Sequence, residues 1–164
     1  MQPQGLLDVL PQEFLAFLQL FQIPVQIFQQ IDLDKQFRYV RARGVTLQEV
    51  EASFGGAKVE EVPLVAALYK VDKKNNLNNN ALYKSGHLYG IDLGSAFAVQ
   101  ALGIDTQQDH LQVLDMCCAP GAKFCFIADL LKSCCKSFCL TGVDVSKDRL
   151  NICRSLCKKY GHVS

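Results

Sequence analysis

Residues 111–160 predict an α/β fold, the opening β-α-β-α of a Rossmann-like doubly wound parallel sheet. Three observations carry that expectation. Two short apolar runs each end in an aspartate, 111–115 at Asp115 and 137–143 at Asp144. A turn of small residues, 117–123, follows the first run. Segments of helical spacing follow both, 124–132 and then a helix starting at Ser146, which keeps Leu150, Cys153, Cys157 and Tyr160 on one side before Gly161 ends it.

The chain ahead of this sheet divides in two. Residues 1–34 read as a helical segment: there is no Lys or Arg in 1–31, and Phe14, Phe17, Leu18 and Phe21 fall at i, i+3, i+4 and i+7, so a helix is expected over 11–22. Pro24 breaks it and starts another turn or helix carrying Val25, Ile27, Phe28 and Ile31. Residues 35–80 read as a small α+β module. Lys35, Phe37, Arg38, Tyr39, Arg41 and Arg43 alternate as in a strand, Thr46 caps a short helix over 47–54, and Gly55-Gly56 ends it. The run 64–71 is a strand or short helix, and the Asn-rich 72–80 a surface loop. From 81 to 164 the chain reads as the larger α/β domain, opening with 88–102, where Ser95 could cap a helix that Gly103 ends.

With 49% hydrophobic and 20% charged residues among 164, the chain is neither disordered nor fibrous. A net charge of +1 leaves any nucleic-acid argument to local clusters. No run of 18 apolar residues suggests a membrane span, and the N-terminus lacks the basic start of a secretory signal, so an intracellular protein is expected, in nucleus, cytoplasm or organelle. All eight cysteines lie between Cys117 and Cys157. Cys134, Cys135, Cys139, Cys153 and Cys157 could be called a metal cluster. With no CxxC pair, buried small apolar cysteines are preferred and no metal is expected.

Ligands of open parallel sheets sit beyond the carboxyl ends of the strands. There this sequence places Cys117, Cys118, Ala119, Pro120, Gly121, Ala122 and Lys123, whose free amides open a helix and can receive an anion. Asp144 stands at the tip of the second strand, where an acid accepts hydrogen bonds from the ribose of a nucleoside cofactor. The turn holds a single glycine, so GxGxxG is excluded, and Lys123 precedes Phe124, so a P-loop is excluded. An ordinary tight β-α turn is the alternative.

The order Val-Leu-Asp-Met-Cys-Cys-Ala-Pro-Gly-Ala-Lys over 113–123 resembles the cofactor loop of the Sun family of S-adenosylmethionine-dependent RNA cytosine-5 methyltransferases, and 142–150 resembles that family's next motif. Less closely, 85–95 is similar to its Gln-Asp-x-x-Ser approach segment and 38–41 to its RNA-binding lead-in. The resemblance implies that residues 117–123 wrap the methionine end of S-adenosylmethionine, that Asp144 holds its ribose and that Asp115 supports the loop. It implies an RNA partner, tRNA or rRNA, reached through Lys35, Arg38, Arg41 and Arg43 with stacking on Phe37 or Tyr39, against which stands a solvated strand face. Asp92 and Ser95 are either part of the approach segment or a helix cap.

Two small departures are Ala122 for glycine and Ile91 for glutamine. The large one is that the family's two cysteines, one attacking carbon 6 of cytosine and one releasing product, lie in segments not found in this sequence. The expectation is therefore an N-terminal fragment with a cofactor site and no catalytic nucleophile, inactive alone. A non-catalytic nucleoside or RNA binder, or a methyltransferase of another substrate, are the alternatives.

Overall fold

The computed structural model describes residues 10–25, 37–104 and 109–162. The chain forms two compact units, 1–36 and 37–164. In the first, α1 spans Gln12–Leu20, opened by Pro11 and carrying Glu13 in its first turn. It stops short of the expected Gln22 because Gln22 takes a left-handed conformation, φ 54°. Phe17 and Phe21 pack ring to ring at 4.6 Å between centroids. The second turn expected around 26–31, and Lys35, lie outside the described residues.

The second unit begins with an antiparallel sheet of four strands, ordered β2-β3-β1-β4: β1 (Phe37–Ala42), β2 (Val59–Glu61), β3 (Leu68–Asp72) and β4 (Leu88–Gly90). The expected alternation holds. Val40 and Ala42 face a cluster with Val71, Leu88 and Val50 of α2 (Leu47–Ser53), while Tyr39 faces the cluster that contains Leu68 and Tyr89. α2 begins on a capping box in which the Thr46 hydroxyl accepts from Glu49 N–H and the Glu49 carboxylate accepts from Thr46 N–H. β3 starts only at Leu68 because Leu64 and Ala67 turn through positive φ, 71° and 55°. The Asn-rich stretch is less loop-like than expected: a 3-10 turn at Leu77–Asn79 leads to α3 (Ala81–Lys84), which Asn80 caps.

β4 pairs with β1, Val40 opposite Gly90 and Ala42 opposite Leu88. The expected domain boundary at 80/81 is thereby corrected, since the sheet continues to Gly90 and a single compact unit runs from 37 onwards. Strands this short carry too little periodicity to be read from sequence.

α4 (Leu93–Ala101) leads to the predicted β-α-β-α: β5 (His110–Asp115), α5 (Ala122–Cys134), β6 (Ser137–Gly142) and α6 (Lys147–Lys159). β5 and β6 are parallel and in register, Asp115 opposite Gly142. Leu111, Val113, Phe138 and Leu140 pack on a core made with Phe126, Leu131, Cys153 and Cys157 of α5 and α6. His110, Gln112, Leu114, Cys139 and Thr141 on the opposite face are exposed. No helix among the described residues is long and apolar enough to cross a membrane.

Candidate functional site: the loop between β5 and α5

The parallel pairing brings the ends of β5 and β6 side by side, and the loop after β5 folds back over the tip of β6. Cys117 N–H donates to the Asp115 carboxylate at 3.1 Å, so Asp115 does brace the loop. Cys118 N–H donates to Val143 O at 3.0 Å, tying the loop across the strand pair. The Asp115 Oδ2 is buried without a partner among the described residues. The Ala119-Pro120 peptide is cis.

Asp144 sits against the loop. Its Oδ2 accepts from Ala119 N–H at 3.3 Å and its Oδ1 from Ser146 N–H at 3.0 Å, with the Arg149 guanidinium 3.7 Å away. The Ser146 amide, then Arg149 and the Ala119 amide, hold the carboxyl below its ordinary range against the opposing effect of burial. The side chain is only 4% exposed. In this state the carboxylate organises the loop directly. Arg149 completes the clasp by donating to Ala119 O at 2.6 Å. Sequence reasoning missed Arg149; the signal was its place in the first turn of the helix that Ser146 caps.

Two glycines shape the loop, for reasons of packing. Gly121 has φ 123°, and a Cβ there would lie 3.2 Å from Cys153 Cα, so α6 is what approaches it. A Cβ on Gly142 would fall 2.7 Å from the Phe124 ring and 2.9 Å from Cys118 Sγ. Gly142 had no part in the expected site, yet the loop closes onto the space where its side chain would be.

A cavity of about 250 Å³ opens between the loop and the start of α4. Cys118, Ala119, Pro120, Gly121, Ala122 and Lys123 line it, opposite Gly90, Ile91, Asp92 and Ser95. Cys117 and Asp144 are outside this lining. Ser95 is the third residue of α4, and Asp92 is the cap, accepting from Ser95 N–H at 2.8 Å. The Ser95 hydroxyl, then its amide, lower the Asp92 carboxyl, and the Lys123 charge adds to the effect. Asp92 is thus both a helix cap and a wall of the cavity. The first turn of α5 enters the cavity at Ala122 and Lys123 with no side-chain cap on its amides, which leaves donors for an anionic ligand. A carboxylate group fits these donors.

Cys117 is exposed, and the other thiols nearby are packing groups. Cys118 is 2% exposed and burial pushes its thiol up, opposite to what a helix N-terminus would do. Cys125, Cys153 and Cys157 are also buried, and burial together with the neighbouring thiols pushes Cys153 up to about 12. Among the described residues no cluster of three His, Cys, Asp or Glu side chains could hold a metal ion.

Two of the basic residues expected to meet RNA are used by the fold, and that expectation is corrected for them. Arg41 is buried, donating to the Asp129 carboxylate at 2.6 Å with its guanidinium 4.0 Å from the centre of the Phe126 ring. Arg43 donates to the other Asp129 oxygen at 2.8 Å and to Gly86 O at 3.1 Å. Their charges meet on Asp129 and tie the end of β1 to α5, with Arg41 buried and Arg43 partly exposed. Arg38, on the other face of β1, donates to Lys73 O at 3.1 Å and stays near the surface.

No family model matches the chain. Over 72 residues it is 40% identical to a 28S rRNA (cytosine-C(5))-methyltransferase of Mus musculus, a stretch covering 42% of this chain and 8% of that protein. In fold it is similar to NSun6 from Pyrococcus horikoshii, solved with SFG, at TM-score 0.71 and 14% identity, covering 92% of this chain and 63% of that one. A methyltransferase homologue from the same organism matches at TM-score 0.66 and 18% identity, covering 94% and 55%. The chain spans less than two thirds of the length of each of these proteins. By loop motif, partial relative and fold, it resembles part of the Sun family of S-adenosylmethionine-dependent RNA cytosine-5 methyltransferases.

Proposed function

We propose that residues 111–160 hold S-adenosylmethionine for methylation of cytosine carbon 5 in tRNA or rRNA. The observation that carries this is the uncapped first turn of α5 opening into a cavity walled by the 118–123 loop and by Asp92 and Ser95. The α5 amides receive the carboxylate of the methionine end, and Lys123 adds positive charge beside them. Bound there, the cofactor supplies an activated methyl group on sulfur. Asp144 would hold the ribose hydroxyls only by giving up its 3.3 Å contact to Ala119 N–H, since its side chain stands outside the cavity lining. The solved protein with SFG, an analogue of this cofactor, supports the reading.

Methylation at carbon 5 needs a nucleophile at carbon 6. Cys118 is the thiol in the cavity lining, and it is buried with its ionisation suppressed. This favours a second reading, in which the chain by itself binds cofactor and RNA without turning over.

Calorimetry of the full chain with S-adenosylmethionine tests the first reading. Ala122→Asp puts a carboxylate at the anion position while suiting a helix start. Binding by the natural chain and loss in this variant is the expected result; equal binding by both, or by neither, overturns it. Methyl transfer to RNA by the purified chain would overturn the second.

A further inference from the structure

The eight thiols fall into two groups. Cys118, Cys125, Cys153 and Cys157 are buried, at most 5% exposed, where thiols are inert. Cys134 and Cys135 are half-buried and Cys117 and Cys139 exposed, so the expectation of buried cysteines is corrected for these four. Two of the accessible four are neighbours in the chain, and their sulfurs, Cys134 Sγ and Cys135 Sγ, stand 3.4 Å apart.

Adjacent side chains inside a helix point apart, so this meeting has a local cause. Cys134 is the last residue of α5, and Cys135, its C-cap, is extended at φ −113° and ψ 141°. The change of backbone geometry between them brings the second sulfur onto the first, while Cys135 N–H still donates to Leu131 O at 2.9 Å. The next two residues tie the turn to the start of β5: Lys136 pairs with the Asp109 carboxylate at 2.7 Å, and Ser137 N–H donates to Asp109 O at 3.1 Å. The 13 residues of α5 put roughly 18 Å of helix between this pair and Ala122, so it is a place apart from the loop cavity.

Disulfides ordinarily join residues whose Cα atoms are about 4.4–6.8 Å apart, whereas neighbours along the chain are held at about 3.8 Å. A bond between Cys134 and Cys135 therefore closes a small strained ring, which a thiol reopens readily. Such a pair suits cycling and not stapling of the fold. We infer that Cys134 and Cys135 form a reversible redox site, a vicinal dithiol that exchanges with a small disulfide of the glutathione type. One thiolate attacks the small disulfide, making a mixed disulfide and releasing one glutathione; the neighbouring thiolate displaces the second. The pair gives up two electrons and two protons, and one oxidised glutathione becomes two reduced ones. The site is independent of what the loop cavity binds.

The test is mass spectrometry of the full chain after incubation in mixtures of oxidised and reduced glutathione, alkylation of free thiols and cleavage with trypsin. Cuts after Lys132 and Lys136 release residues 133–136, which hold these two cysteines and no other. The expected result is an unalkylated peptide lighter than its reduced form by two hydrogens, growing with the oxidised share and lost when excess reduced glutathione is added. Cys134→Ser and Cys135→Ser should abolish it, leaving the alkylated peptide or its glutathione adduct, with circular dichroism like that of the natural chain. Phenylarsine oxide, whose arsenic takes up two thiols with loss of water, gives a second reading without an oxidant. The natural chain should retain it through gel filtration and either variant should lose it, while Cys139→Ser should change neither reading. If the natural chain yields only doubly alkylated peptide or glutathione adducts across the series, or if the Cys134 and Cys135 variants retain the arsenical as the natural chain does, or if Cys139→Ser removes either reading, the site is overturned.

Discussion

The strand at 37–42, with Arg43 just past its end, and the loop at 117–123 sit in one compact unit and are built on opposite plans. The loop is held by its own backbone and by residues close to the end of the neighbouring strand: Asp115 to Cys117, Ala119 to Asp144, Val143 to Cys118. The strand is held by a buried charge cluster whose members lie far apart in sequence, Arg41 and Arg43 on one carboxylate, Asp129. In the loop the bonds that set its path run between residues close in sequence or at the tips of paired strands. In the strand identical residue types, Arg38 against Arg41 and Arg43, have different uses because one stays near the surface and two face α5.

The largest effect expected from breaking this contrast is at Asp129. Asp129→Ala leaves two guanidiniums with little solvent and no counter-charge, and chemical denaturation should record a loss of about 3–5 kcal/mol. A loss under about 1 kcal/mol would mean the pair is hydrated and free to meet RNA after all.

Next is Gly142→Ala, which drives a methyl into the Phe124 ring and Cys118. Overpacking of this kind costs about 1–3 kcal/mol, and because the loop must lift to relieve it, cofactor binding measured by calorimetry should weaken as well. Unchanged affinity would separate the loop's closure from its function.

A pH dependence follows from His162, buried beside Asp129, with a side chain 2% exposed. Burial pushes its pKa down to about 4; Asp129 opposes this, but Arg43, Lys132 and Arg41 reinforce it. Two arginines already engage Asp129, which explains why burial prevails. The folded state therefore keeps the ring neutral while the unfolded chain protonates near 6.5. Stability should fall as pH drops from about 6.5 toward about 4, a slope that His162→Gln flattens in urea titrations at several pH values. An identical slope in the variant would refute the assignment.

The smallest effect is at the far side of the sheet. Thr46→Ala removes the α2 capping box at a cost of about 1 kcal/mol, and cofactor affinity should not change. A change there would mean that the two faces of the sheet are coupled.

The expected β-α-β-α, its parallel pairing and the residues of the loop were legible because each rests on local pattern: apolar runs, small residues in a turn, a Ser cap. β2, α3 and β4 were not, being three or four residues long. Their absence from the sequence reading is why the boundary at 80/81 was misplaced. The place of Asp144 beyond the end of β6 was legible, but its engagement with Ala119, and the partnership of Arg149, depend on how far the loop folds over β6.

What the sequence determined by itself is therefore the alternation of β1, the cap of α2, the order of the parallel elements and the small-residue turn after β5, all set by neighbours along the chain. Only the tertiary structure decided which arginines are spent on Asp129, why position 142 must be glycine, and that the start of α4 walls the loop cavity. Those outcomes depend on distances between residues as much as 88 positions apart, and no local preference encodes them.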